Sequence, residues 1–273
     1  MKTPLLILTL ATALAAQAPF QVKVTGHGRP MILIPGLSAS GETWDTTVEH
    51  FKDRYECHVL TVAGFAGVPR VAAPMLDRVR DGIAEYAREK KLDKPLIVGH
   101  SLGGFLALAV AEKYPALPGK LVIVDGYPFY ATIFDPATTP EKAKELAAQM
   151  RHYVGDESQD DYERYVKAGI GTRRMVTAES DFQRIVAWGL ASDKTAVADA
   201  MAELILTDLR DGLAAVKCPT LVLAEHMGAA ERAQFAKLAG AEIENNETAL
   251  HFLMWDDPKW TFGHMDRFLS EPR

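Results

Sequence analysis

The pentapeptide Gly99-His100-Ser101-Leu102-Gly103, followed by Gly104, constrains this chain more than any other feature. It stands between the apolar run Pro95 to Val98, which reads as a buried strand, and a segment carrying Phe105, Leu106, Leu108, Val110 and Ala111. That segment is apolar on most sides at helical spacing, so a buried helix is predicted. A serine at a sharp strand-to-helix turn takes strained backbone angles. Glycines two before and two after it remove side chains that would collide there. The helix N-terminus then aims free N–H groups at negative charge developing beside the serine. A bare G-x-S-x-G is a weak pattern; between a strand and a helix it points to nucleophilic chemistry at Ser101.

The rest of the chain supplies a frame of the same kind. Met31 to Pro35, Cys57 to Val62, Lys120 to Asp125 and Pro219 to Ala224 are short apolar runs, and Ala241 to Glu244 predicts a further strand. Met75 to Ala87 places Leu76, Val79, Ile83 and Tyr86 on one helical face. Pro258 to Leu269 predicts a closing helix with Trp260, Met265, Phe268 and Leu269 inward. Apolar strands alternating with helices imply an α/β fold, a mostly parallel central sheet with helices on both faces. From Tyr127 to about Gly212 only helical patterns occur, marked by Leu146, Met150 and Tyr153, by Tyr162, Tyr165 and Val166, by Ile185 to Leu190 and by Ala196 to Leu206. The expected division is therefore a core over residues 16–126, an inserted helical cap over 127–212 and the rest of the core over 213–273.

The N-terminus predicts export. Lys2, the apolar Leu5 to Leu14 and the small-x-small Ala13-Leu14-Ala15 read as a signal peptide over residues 1–15. The apolar stretch is too short for a membrane span, which takes about 20 residues. A periplasmic or secreted chain follows. A net charge of −6 and the lack of a basic cluster give no footprint for nucleic acid. Cys57 and Cys218 sit in or beside strands far apart in the chain and are expected to be free thiols. No Cys/His spacing resembles a zinc site.

These features resemble the α/β-hydrolase family, in particular its esterase and lipase-like branch with a helical cap. The resemblance runs from the strand at Met31 through Ser101 to His251. It implies Ser101 as nucleophile and His251, in the loop before the last helix, as general base. It implies the backbone N–H groups of Leu37, in Ile34-Pro35-Gly36-Leu37, and of Leu102 as oxyanion donors. Pro35 stands where the family often has histidine. The family's usual acid position falls on Gly228, so the acid is either Asp125, the preferred candidate at the end of Leu121 to Val124, or Glu225. Ser38, Ser40 and the other histidines lack matching context.

The expected activity is hydrolysis of a small carboxylic ester through an acyl-enzyme, with no cofactor and no metal. The partner is a small molecule with an apolar acyl part, lined by the Gly126 to Tyr130 segment with Met150, Met175 and Trp188. Lactonase, peptidase or C–C hydrolase chemistry stays open, as does ligand binding with degenerate catalysis. Activity is expected to fall as pH drops through about 6.5, where an ordinary histidine protonates.

Overall fold

The computed structural model describes residues 18–270. The expected signal segment, residues 1–15, lies outside them. The chain opens with β1 (Phe20–Gly26) and β2 (Arg29–Ile34), followed by α1 (Asp45–Phe51), β3 (Tyr55–Val62), α2 (Met75–Glu89), β4 (Leu96–His100), α3 (Leu102–Lys113) and β5 (Lys120–Val124). Strands return with β6 (Thr220–Glu225) and β7 (Glu242–Asn246). The seven form one sheet in the order β1-β3-β2-β4-β5-β6-β7. All neighbours run parallel except β1, which pairs antiparallel with β3.

The core lies on both faces because strand side chains alternate. Ile32 and Ile34 of β2 pack with Leu60, Ile97 and the apolar faces of α2 and α3. Met31 and Leu33, one residue out of phase, pack with Trp44, Phe51, Met265 and Phe268 on the other face. The central strands β4 and β5 are buried at every position. Helix α3 is buried from Leu102 through Ala111, as its all-round apolar sequence requires. The two edge strands depart from the continuous apolar runs: β7 (Glu242–Asn246) is mostly polar and half-buried, and β1 is mostly exposed. Its polar alternation through Gln21, Lys23 and Thr25 suits an edge, and Lys23 discourages further strand pairing.

Between β5 and β6 the chain is helical: α4 (Ala131–Phe134), α5 (Pro140–Gly155), α6 (Gln159–Ala168), α7 (Glu179–Ala191) and α8 (Lys194–Leu206). Hydroxyl or carboxylate oxygens of Thr139, Ser158 and Asp193 cap α5, α6 and α8 by accepting backbone N–H bonds. The face of α5 differs from the expected one. Ala143 and Ala147 are its buried stripe, in one cluster with Phe129, Ala202 and Ile205. Tyr153 is 50% exposed. The small alanines let α5 approach α8 closely, which leaves the larger side chains at the margin. The chain closes with α9 (Ala229–Ala233), α10 (Leu253–Asp256) and α11 (Pro258–Ser270). In α11, Met265, Phe268 and Leu269 are buried, whereas Trp260 is half-buried and lies against His264, ring centres 4.4 Å apart.

Both cysteines are free; Cys57 on β3 and Cys218 ahead of β6 belong to strands separated in the sheet by β2, β4 and β5. Two glycines of the pentapeptide are required by close backbone approach. A Cβ on Gly99 would lie 2.0 Å from the Gly103 carbonyl oxygen, and one on Gly103 would lie 2.1 Å from that of Ile34. Backbone cannot yield as a flexible side chain does. Gly103→Ala is therefore expected to destabilise the fold by about 3 kcal/mol or more. A denaturant midpoint close to that of the parent protein would contradict this packing.

Candidate active site

Ligands of parallel sheets collect outside the carboxyl ends of the strands, and there β4, β5 and β6 each deliver one side chain. Ser101 follows β4 with φ 55° and ψ −121°. Its backbone N–H donates to Val124 O at 2.9 Å, one step beyond the regular ladder. Asp125 follows β5 with φ 45°, and its N–H donates to Leu223 O of β6 at 2.7 Å. Neither residue is glycine, so each left-handed conformation costs about 1–3 kcal/mol, met by the surrounding hydrogen bonds. Strain at two adjacent strand ends thus coincides with the residues singled out for chemistry.

Asp125 Oδ2 lies 2.5 Å from His251 Nδ1. Asp125 Oδ1 accepts from the Glu225 backbone N–H at 3.3 Å and from the Tyr127 hydroxyl at 3.4 Å. With Nδ1 donating to Asp125, Nε2 of the neutral imidazole is the nitrogen able to take a proton. The side chains of His251 and Asp125 are 13% and 4% exposed. Burial opposes charge on His251, but the Asp125 hydrogen bond and the Asp125 and Glu225 carboxylates outweigh it and raise its pKa above the usual value. Burial pushes the Glu225 carboxyl up to about 7, and the Asp125 charge adds to the effect while His251 opposes it. Of the two acid candidates, Asp125 binds the imidazole and Glu225 flanks the pair with a carboxyl that is partly protonated near neutrality.

The loop bearing His251 is fixed from several sides. Asn246 Oδ1 accepts from the N–H groups of Thr248 and Ala249, Asp256 Oδ2 accepts from Leu250 N–H, and Phe252 N–H donates to Met175 O. His100 Nε2–H donates to the His251 carbonyl at 3.0 Å. Complete burial, with the nearby His251 adding repulsion, holds the His100 pKa well down, so this ring is a neutral donor. Sequence reasoning set His100 aside with the other histidines as lacking matching context. It points away from Ser101 chemistry but onto the backbone of the base.

The segments carrying the two expected oxyanion donors lie against the serine. Leu102 begins α3 beside Ser101. Gly36, next to Leu37, comes so close that a Cβ on it would sit 3.3 Å from Ser101 Cβ. Glycine at that position thus keeps the turn after β2 against the nucleophile despite Pro35. Of the expected pocket residues, Met175 and Trp188 pack in the cluster that contains Phe252 and Leu253, next to His251. Met150 does not; it joins the separate α5–α8 cluster with Phe129. Sequence reasoning read the Gly126 to Tyr130 segment as apolar lining and missed its hydroxyls: Tyr127 reaches Asp125, and Tyr130 OH lies 3.0 Å from Ser101 Oγ. The signal was two tyrosines, not phenylalanines, just past the strand end.

Asp125, Glu225 and His251 bring metal-ligand atoms within 4.8 Å of one another. The short Asp125–His251 bond already engages one atom from each of two members, the arrangement of an oriented base. Among the described residues no helix is long and apolar enough to cross a membrane.

Comparison with known proteins bears on the family and the fold. The alpha/beta hydrolase family model matches residues 31–263. N-formylmaleamate deformylase of Pseudomonas putida is 26% identical over 259 residues, covering 90% of this chain and 91% of that enzyme. A pimeloyl-[acyl-carrier protein] methyl ester esterase of Vibrio cholerae is 28% identical over 109 residues, but only 40% of this chain and 41% of that protein are covered. Among solved structures, the enol-lactonase of Burkholderia xenovorans superposes with a TM-score of 0.76 at 16% identity, covering 92% of this chain and 96% of that one. An esterase of Exiguobacterium antarcticum gives the same TM-score at 18% identity and the same coverage. At these identities the superpositions speak for the fold alone. The family match runs from the first parallel strand into the closing helix and takes in every side chain of the site, and the chain belongs to the alpha/beta hydrolase family.

Proposed function

We propose that the chain is a serine hydrolase that cleaves small carboxylic esters through an acyl-enzyme. Ser101 attacks the carbonyl carbon, His251 Nε2 takes the Oγ proton, and Asp125 holds the imidazole in the required tautomer and offsets its positive charge. The N–H groups of Leu37 and Leu102 receive the oxyanion. The tetrahedral intermediate then breaks its bond to the leaving alcohol, which takes the proton from His251. Water, deprotonated by the same imidazole, releases the acid. The observation that carries this reading is the Asp125–His251 bond beside a serine held at positive φ. It supports catalysis over ligand binding, because an acid meets the imidazole although the family's usual acid position falls on Gly228.

A second reading, cleavage of an N-formyl amide, is favoured by the deformylase that aligns over nearly the whole chain. A panel of short-chain esters, lactones and N-formyl amides separates the two. Ester turnover abolished by Ser101→Ala supports the first; turnover confined to formyl amides replaces it with the second. The rate is expected to rise with pH because the base works only when neutral. The raised pKa of His251 puts the midpoint of that rise above the ordinary histidine value of about 6.5. A midpoint at or below that value would contradict the Asp125–His251 pairing.

A further inference from the structure

We propose that the Tyr130 hydroxyl is a catalytic group that hydrogen-bonds the leaving-group oxygen while the ester bond breaks. This inference rests on the ester reading above. Tyr130 OH lies 3.0 Å from Ser101 Oγ, so it touches the reacting atom directly. Any substrate carbon bonded to Oγ carries its substituents into the space beside that phenol.

The sheet order decides which substituent meets it. Strand β4, which presents Ser101, has β2 on one side and β5 on the other. The oxyanion donors come from the turn after β2 and from the start of α3. Tyr130 and Asp125 follow β5, and Asp125 holds His251 on that same side. The oxygen that leaves is the one protonated by His251, so it faces the base and the phenol together.

The phenol is held in place. Phe129 N–H donates to Gln234 Oε1, Leu209 N–H donates to Pro128 O, and Thr132 Oγ1 donates to Phe129 O. Phe129 itself is fully buried, and the Tyr130 ring meets that of Tyr127 edge-on at 6.2 Å. These bonds tie the segment on both sides of Tyr130 to the core, so its hydroxyl stands beside Oγ ready to donate to the leaving oxygen, pre-aimed as effective catalytic dipoles must be. Burial above all raises the phenol pKa, so it stays protonated wherever the base is active.

In the step proposed, the carbon–oxygen bond breaks, its electron pair goes to the leaving oxygen, and His251 supplies the proton. Tyr130 keeps its own proton and only shares it through a hydrogen bond. Help of this kind matters most for a basic alkoxide and least for a stabilised phenolate.

The test compares ethyl and p-nitrophenyl esters of one acid. Tyr130→Phe keeps the ring and is expected to lower kcat/KM for the ethyl ester on the order of 100-fold more than for the p-nitrophenyl ester. Incorporating 3-fluorotyrosine at position 130, which retains shape and donates more strongly, is expected to change the same ratio in the opposite direction. Equal losses on both esters in Tyr130→Phe would assign Tyr130 a structural role and overturn the proposal. Faster turnover of both would make it an obstruction and overturn it too. A fluorotyrosine protein with an unaltered ratio overturns it even if Tyr130→Phe fails to fold. A parent protein inert to both esters removes the ester reading, and this inference with it.

Discussion

Replacing Ser101 with glycine should abolish turnover and yet raise stability. Without Oγ no acyl-enzyme forms, and the loss in kcat is expected to be about 10⁶-fold. The backbone at this position has φ 55° and ψ −121°, a conformation that burdens any residue with a Cβ. Glycine relieves that strain and is expected to add about 1 kcal/mol to the unfolding free energy, net of its greater freedom in the unfolded chain. Ser101→Ala loses activity equally but keeps the Cβ, so it should lack the gain. The pair of variants thus separates the chemical role of the hydroxyl from the cost of presenting it. A glycine variant no more stable than the alanine variant, by denaturant unfolding, would contradict the strained presentation of the serine.

Asp125→Asn is the second large effect. The amide can still accept from Tyr127 and from the Glu225 N–H, so the fold is expected to survive. It cannot offset charge on the imidazole, and its NH₂ group favours the wrong tautomer of His251. The expected loss in kcat is about 10⁴-fold. Glu225→Gln should behave differently. The Glu225 carboxylate helps to raise the His251 pKa; without it His251 loses its proton at lower pH. The acid limb of the rate profile should therefore move toward acid, with the plateau retained. Because burial pushes the Glu225 carboxyl up to about 7 and its charge acts on His251, the parent limb belongs to the coupled pair. If Glu225→Gln instead collapses the plateau and Asp125→Asn does not, the acid is Glu225.

The legible parts of this molecule are those where one local rule decides. The inner parallel strands β2, β4, β5 and β6 announced themselves as apolar runs because both sheet faces are covered there, unlike the polar edge strand β7. The elbow was legible because its glycines answer to backbone contacts as close as those of Gly99 and Gly103. Strand β1 passed unnoticed, since an antiparallel edge strand with Gln21, Lys23 and Thr25 carries no such run. The acid stayed divided between Asp125 and Glu225 because a one-dimensional spacing does not say which carboxylate meets Nδ1. That depends on Asp125 turning at positive φ while its N–H bonds β6. Tyr130 and His100 were beyond reach for the same reason. Their partners, Ser101 and the His251 carbonyl, are set by how three strand ends and one loop converge.

The most direct test is labelling of the folded protein with a fluorophosphonate probe, followed by peptide mapping, with Ser101→Ala as control. Phosphonylation needs an activated serine and donors for the developing oxyanion, and nothing about the natural substrate. One equivalent of label on Ser101, lost in the alanine variant and slowed at pH below the raised His251 pKa, is the expected result. A folded protein that takes up no label, or takes it up at Ser38 or Ser40, would contradict Ser101 as the nucleophile.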